Sequence, residues 1–258
     1  MSESIVVRNV SKRFRMRYHR TIKQVTIAAL RRQQLSNSFL ALDDVSFTVE
    51  QGESIGLLGL NGSGKSTLLK LINGVMYPDT GSVLTRGRIA GLIATGAGFH
   101  PQLTGRDNLF LNAAILGMSE AETRRKLDQI IDFADIGKFL ETPVGHYSSG
   151  MYARLGFSVA AFADSDIFLA DEVLAVGDRP FKRKCMQRMQ EIKAEGRTLF
   201  YVTHSTGSVR KMCNRALVLE KGVLAFDGPV ADGIHYLKYD VDGDDEENTE
   251  DDEIGADI

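Results

Sequence analysis

The sequence predicts an α/β domain built on a mainly parallel sheet, with a small antiparallel β-subdomain beside it and a helical subdomain within it. Three observations carry that prediction. An apolar run, SIGLL (54–58), leads directly into the glycine-rich stretch GLNGSGKST (Gly59 to Thr67) and then into the helix-like LLKLINGV. Two more short apolar runs, DIFLAD (166–171) and TLFYVTH (198–204), have the length and composition of strands buried on both faces. Along the chain, strand-like and helix-like segments alternate, as parallel α/β domains require.

Taken in order, IVVRNV (5–10) and VSFTVE (45–50) suit a small antiparallel sheet packed beside the main one. Between them, RTIKQVTIAALRRQQ (20–34) sets Ile22, Val25, Ala29 and Arg32 near one face at helical spacing, which predicts a short, basic, amphipathic helix. The strand at 54–58 then delivers the loop. Gly59, Gly62 and Gly64 allow successive N–H groups to turn inward around phosphate oxygens, with Asn61, Ser63 and Thr67 completing the cradle. Lys65 brings a point charge to the β and γ phosphates, and Ser66 offers a hydroxyl to Mg²⁺. This is a P-loop, the nucleotide-triphosphate cradle. From about 104 to 163 the pattern is helical, and SEAE (119–122) forms a capping box opening a helix that reaches about Phe133. DIFLAD carries Asp171 and Glu172 to the carboxyl edge of the sheet, where the phosphates would lie. A carboxylate there holds Mg²⁺ and its neighbour orients or deprotonates an attacking water; these roles fall to Asp171 and Glu172 in turn.

Composition bounds the rest. With 258 residues, 43% of them hydrophobic, the chain can bury a full core. The longest apolar run, LGFSVAAFA (155–163), is about half of the ~18 residues a membrane span needs. The arginine-rich first 20 residues lack the apolar segment of a secretory signal, so a cytoplasmic chain is expected. Cys185 and Cys213 have no metal-ligand spacing and read as reduced packing residues. The net charge of −3 conceals an asymmetry: all 31 basic residues precede Tyr239, whereas eleven of the 34 acidic ones fall between Asp240 and Asp257, leaving +8 on residues 1–239. The domain is therefore expected to span 1–239 and residues 240–258 to form an acidic, disordered tail. Residues 1–35 hold nine Lys or Arg against Glu3 alone, a surplus suited to an anionic lipid surface or nucleic acid.

YSSGMYARLGF (147–157) resembles the LSGGQ signature of ATP-binding-cassette (ABC) ATPases, with Ser148, Gly150 and Arg154 matching. The order agrees: P-loop at 59–67, signature at 147–151, Walker B strand at 167–172, D-loop AVGD at 175–178, and VTHS with His204 at the switch-histidine position. The resemblance covers most of residues 1–230. It implies a head-to-tail homodimer closed by ATP, in which the loop of Ser148, Ser149 and Gly150 of one subunit covers the γ-phosphate held by the other's Lys65. It also implies that His204 bonds the γ-phosphate and the attacking water, that Asp178 belongs to the nucleotide site, and that an aromatic stacks on adenine, with Phe14 of SKRF matching the family's position better than Tyr18.

Within the family, GAGFHPQLTGRDN (96–108), the signature phrase and the long insertion between Phe14 and Val45 resemble the ATPases that export O-antigen, capsule, teichoic acid or galactan chains. In those exporters an equivalent insertion forms a helix near the membrane and the polymer entrance. The resemblance thus implies a peripheral protein on the cytoplasmic face of the cell membrane, partnered by a separate polytopic permease and acting on a lipid-linked polysaccharide. The chain departs from the family in carrying Ala94 or Thr95 where most members have a metal-touching glutamine, with Gln102 too far along to replace it, and in having Gly177 for a commoner leucine. The other class weighed, a soluble cassette acting on nucleic acid or ribosomes, lacks its usual fused second domain or long coiled coil here, so no nucleic-acid partner is expected.

Overall fold

The computed structural model describes residues 2–16, 37–91, 98–171, 178–203 and 205–237. The helix expected over 20–34, Ala94 and Thr95, Glu172, residues 175–177 of the D-loop, His204 and the tail from 240 lie outside them.

Two sheets and two helical layers make up the domain. A six-stranded sheet runs in the order β5 (Ile89–Gly91), β6 (Ile167–Ala170), β7 (Thr198–Val202), β3 (Ser54–Leu58), β8 (Arg215–Glu220) and β9 (Val223–Pro229). All neighbours in it are parallel except β8 and β9. The second sheet is antiparallel, in the order β2 (Asn37–Glu50), β1 (Glu3–Met16) and β4 (Thr80–Thr85).

Period-two alternation divides the core in two. Phe168 and Ala170 of β6 and Leu199 and Tyr201 of β7 face a helical layer of α4 (Ser149–Phe162), α5 (Arg179–Ala194), α6 (Thr206–Met212) and α7 (Val230–Tyr236). Ile167, Leu169, Phe200 and Val202 point the other way, into the antiparallel sheet and α1 (Lys65–Ile72). The rings of Phe47 and Phe200 meet there at 6.1 Å. With both faces covered, the central strands tolerate only apolar side chains, which explains their unbroken runs.

Residues 104–163 hold α2 (Gly105–Ile115), α3 (Glu120–Ala134) and α4. Ser119 caps α3 by accepting from Glu122 N–H, but the reciprocal half of the expected capping box is not made. Glu122 turns away because a stronger partner is in reach: its carboxylate binds Arg88 at 2.6 and 3.0 Å and accepts from Asp164 N–H at 3.1 Å. A reciprocal box occurs instead at the start of α2, between Thr104 and Asp107. Behind it the fully buried Asn108 binds the carbonyls of His100, Leu103 and Thr104 and accepts from His100 N–H, fixing the loop of the TGRDN phrase. Among the described residues no helix is long and apolar enough to cross a membrane.

Candidate functional site

The nucleotide loop sits between the buried strand β3 and α1, and its backbone explains its glycines. Gly59 has φ +142°, and a Cβ there would lie 2.3 Å from the Leu219 carbonyl oxygen. Gly64, the N-cap of α1, has φ +109°, and a Cβ would lie 2.6 Å from the Ala41 carbonyl oxygen. Both positions demand the left-handed region and room for close backbone approach, so only glycine serves.

The loop also meets a direct test of fit for a phosphate chain. At Gly62 the space a Cβ would fill is open, the Ser63 hydroxyl is buried without a partner among the described residues, and Lys65 is buried, with 8% of its surface exposed. Lys65 Nζ donates to the carbonyls of Gly59 at 2.5 Å and Leu60 at 3.1 Å, curling back along the loop. The N–H groups of the first turn of α1 open onto the same place, and that turn contains no acidic residue to oppose an anion. Ser66 and Thr67 lie in that turn; Asn61 lies on the outer bend.

The second cluster of expected residues arrives by strand order. β7 lies between β3 and β6, with Leu57 beside Val202 and Ala170 beside Tyr201. The parallel register brings Gly59, Thr203 and Asp171 to one edge of the sheet, with Asp171 about 10 Å from the P-loop strand at the ordinary ~4.8 Å spacing. Asp171 is half-buried. Glu172 and His204 follow directly on Asp171 and Thr203 in the chain. Among the described residues no group of three or more His, Cys, Asp or Glu forms a metal cluster.

Ser148 is the N-cap of α4, its Oγ accepting from Met151 N–H at 3.2 Å, with Ser149 and Gly150 in the first turn. α4 packs mainly on α2, α3, α5 and β5, not on α1, so within one subunit the signature loop and the P-loop belong to separate layers. Asp178 is the N-cap of α5, accepting from Phe181 N–H at 3.2 Å. Its carboxylate also binds Arg154 of α4 at 2.8 Å, and that guanidinium sits 4.7 Å from the centre of the Phe181 ring. Sequence reading placed Arg154 and Asp178 in separate motifs; nothing in their spacing of 24 residues announces the pair.

Phe14 lies on β1 directly opposite Phe39 of β2. The neighbourhood of Phe39, SFLAL, reads as an ordinary strand, and only the pairing register sets it beside Phe14. The cysteines are buried, and burial raises both thiols, Cys213 to about 12, so neither ionises near neutrality.

Comparisons with known proteins identify the family. A family model described as ABC transporter matches residues 42–175. The chain is 45% identical over 236 residues to the ABC transporter protein AbcA of Aeromonas salmonicida, covering 91% of this chain and 76% of that one. It is 44% identical over 216 residues to the O-antigen export system ATP-binding protein RfbB of Klebsiella pneumoniae, covering 82% and 88%. A teichoic acids export ATP-binding protein, TagH of Staphylococcus haemolyticus, is 39% identical over 224 residues, covering 87% and 84%. Among solved structures, the ATP-binding subunit of an ABC transporter superposes with a TM-score of 0.72 at 25% identity, covering 96% of this chain and 98% of that one. With a family model spanning half of the chain and relatives of this identity along most of it, the chain belongs to the ABC transporter family and carries that family's ATP-binding, ATP-hydrolysing domain.

Proposed function

We propose that this chain is the ATPase subunit of an exporter that moves a lipid-linked cell-surface polysaccharide across the cytoplasmic membrane. Two copies work together with a separate polytopic membrane subunit, and the chain is peripheral to the membrane's cytoplasmic face. The observation that carries the substrate class is the 44% identity to an O-antigen export ATP-binding protein, over 82% of this chain and 88% of that one. The teichoic acid export relative supports the same class from a second polymer.

In this reading the loop Gly59 to Thr67 grips the phosphate chain of ATP. Lys65 leaves its own carbonyls for the β and γ phosphates, an exchange of one partly buried hydrogen-bond set for a charge-assisted one. Phe14 stacks on the base. Ser66 and Asp171 hold Mg²⁺, which when bound supplies positive charge to the phosphoryl oxygens. Glu172 aligns or deprotonates the attacking water, and His204 bonds that water and the γ-phosphate. Ser148, Ser149 and Gly150 complete the site from the partner copy, and Asp178 ends the D-loop beside it. Phosphoryl transfer asks mainly for positioning and charge stabilisation, which these groups provide.

The test uses the Glu172→Gln chain, tagged and expressed at native level, with ATP added to detergent-solubilised membranes. A polytopic membrane protein recovered in near-equal amount, and a chain that binds ATP without turning it over, are the expected results. Recovery of ribosomal or DNA-bound proteins alone would overturn the export reading, and wild-type turnover would remove Glu172 from its role.

A further inference from the structure

We infer that Phe39 is a second base-binding ring, forming with Phe14 a two-ring platform for the adenine of ATP. The inference rests on the reading of Phe14 as the base-stacking residue and extends it to a strand on the far side of the insertion.

The register supplies the first part of the argument. Phe14 and Phe39 are Cα partners across the antiparallel pair, so their side chains share one face with Cβ atoms about 5 Å apart. The next pair, Arg13 with Leu40, alternates to the opposite face. β4 follows β1 only as far as Ser11, so from Lys12 to Met16 the sheet narrows to a two-stranded ribbon. Among the described residues no third strand covers the pair there, and the two phenylalanines remain 36% and 49% exposed. A cross-strand pair formed only to stabilise the ribbon would shield each ring by the other; these two keep surface available to a third flat group.

Position supplies the second part. Two residues beyond Phe39, at about 7 Å along the strand, the Ala41 carbonyl lies against Gly64 of the P-loop. At the next turn of the path Asp43 N–H donates to the Gly222 carbonyl, and Gly222 N–H donates to the Ser63 carbonyl. β2 is therefore clamped to the phosphate cradle immediately beside Phe39, and its ring travels with the site. Stacking of a base on an exposed aromatic ring is tolerant of sequence and strong enough to matter, about tenfold in affinity or more for each ring.

The chain contains no tryptophan, which makes the test direct. Three single-tryptophan chains, Phe14→Trp, Phe39→Trp and Phe139→Trp, are titrated with ATP and their emission followed. Phe139 lies in the middle of the turn Gly137–Glu141 that follows α3, is exposed, and serves as the remote control. Equal half-saturation in the first two and silence in the third are expected. A response from Phe14→Trp with silence from Phe39→Trp would remove Phe39 and leave Phe14 standing; silence from both, with ATP binding still measured by calorimetry, would overturn the base site entirely. Calorimetry on Phe39→Ala should show about a tenfold rise in Kd for ATP, and Phe39→Tyr should restore it. An unchanged Kd in Phe39→Ala overturns the inference.

Discussion

Replacing Glu122 by Gln tests how the helical layer is fastened to the sheet. Glu122 on α3 holds Arg88, which directly precedes β5, by two hydrogen bonds, and also receives the Asp164 N–H. The Arg88 guanidinium beside it holds the Glu122 carboxyl at about 2, against an ordinary 4.5. That difference corresponds to about 3 kcal/mol in favour of the charged form in the folded chain. Solvent reaches the pair, since the arginine side chain is 28% exposed, and screening reduces the useful part to roughly 1–2 kcal/mol. Glutamine keeps the shape but not the charge, and it leaves Arg88 without its acid, so the expected loss at pH 7 is about 2 kcal/mol. The assay is urea denaturation of both chains between pH 7 and pH 2.5. Because the folded pKa is depressed, the stabilisation is complete above about 4.5 and disappears as pH falls toward 2. The two chains should therefore converge in acid, and adding Arg88→Ala to the Gln variant should cost little more. A wild-type advantage under about 0.5 kcal/mol at pH 7, or a gap that persists undiminished to pH 2.5, would refute this account.

Other expectations are simpler. Gly64→Ala places a Cβ 2.6 Å from the Ala41 carbonyl oxygen at φ +109°, so it should lose nucleotide binding by calorimetry and about 1–3 kcal/mol of stability in urea. Ser148→Ala removes the hydroxyl that caps α4, which should cost about 1 kcal/mol in thermal unfolding and lower turnover while leaving ATP affinity of the isolated chain unchanged. Arg154→Ala takes away the partner of Asp178 and the cation over Phe181; turnover should fall with KM for ATP nearly constant, and a proportional rise in KM would speak against a purely positional part for the pair.

What the sequence made legible follows the reach of its interactions. β3, β6 and β7 were readable because burial on both faces leaves an unbroken apolar run, and the P-loop because its pattern of Gly, Lys and Ser is complete within nine residues. Asp171 was readable as the residue that ends such a run. The fate of Glu122 was not, because SEAE has the local form of a capping box and the competing guanidinium lies 34 residues upstream. The Arg154 and Asp178 pair and the Phe14 and Phe39 register escaped for the same reason: each depends on how distant elements pack, and a linear pattern holds no trace of it.

The narrow ribbon of β1 and β2 has a further consequence. Met16 and Asn37 are strand partners, so any segment that joins them starts and ends at neighbouring points. The entropy of closing such a loop grows only with the logarithm of its length, about 0.6 kcal/mol per doubling. Longer, shorter or wholly foreign segments can thus be exchanged there while the ATPase core below keeps its fold. The ribbon acts as a socket: an engineer can use the paired ends at Met16 and Asn37 to graft in a new adaptor.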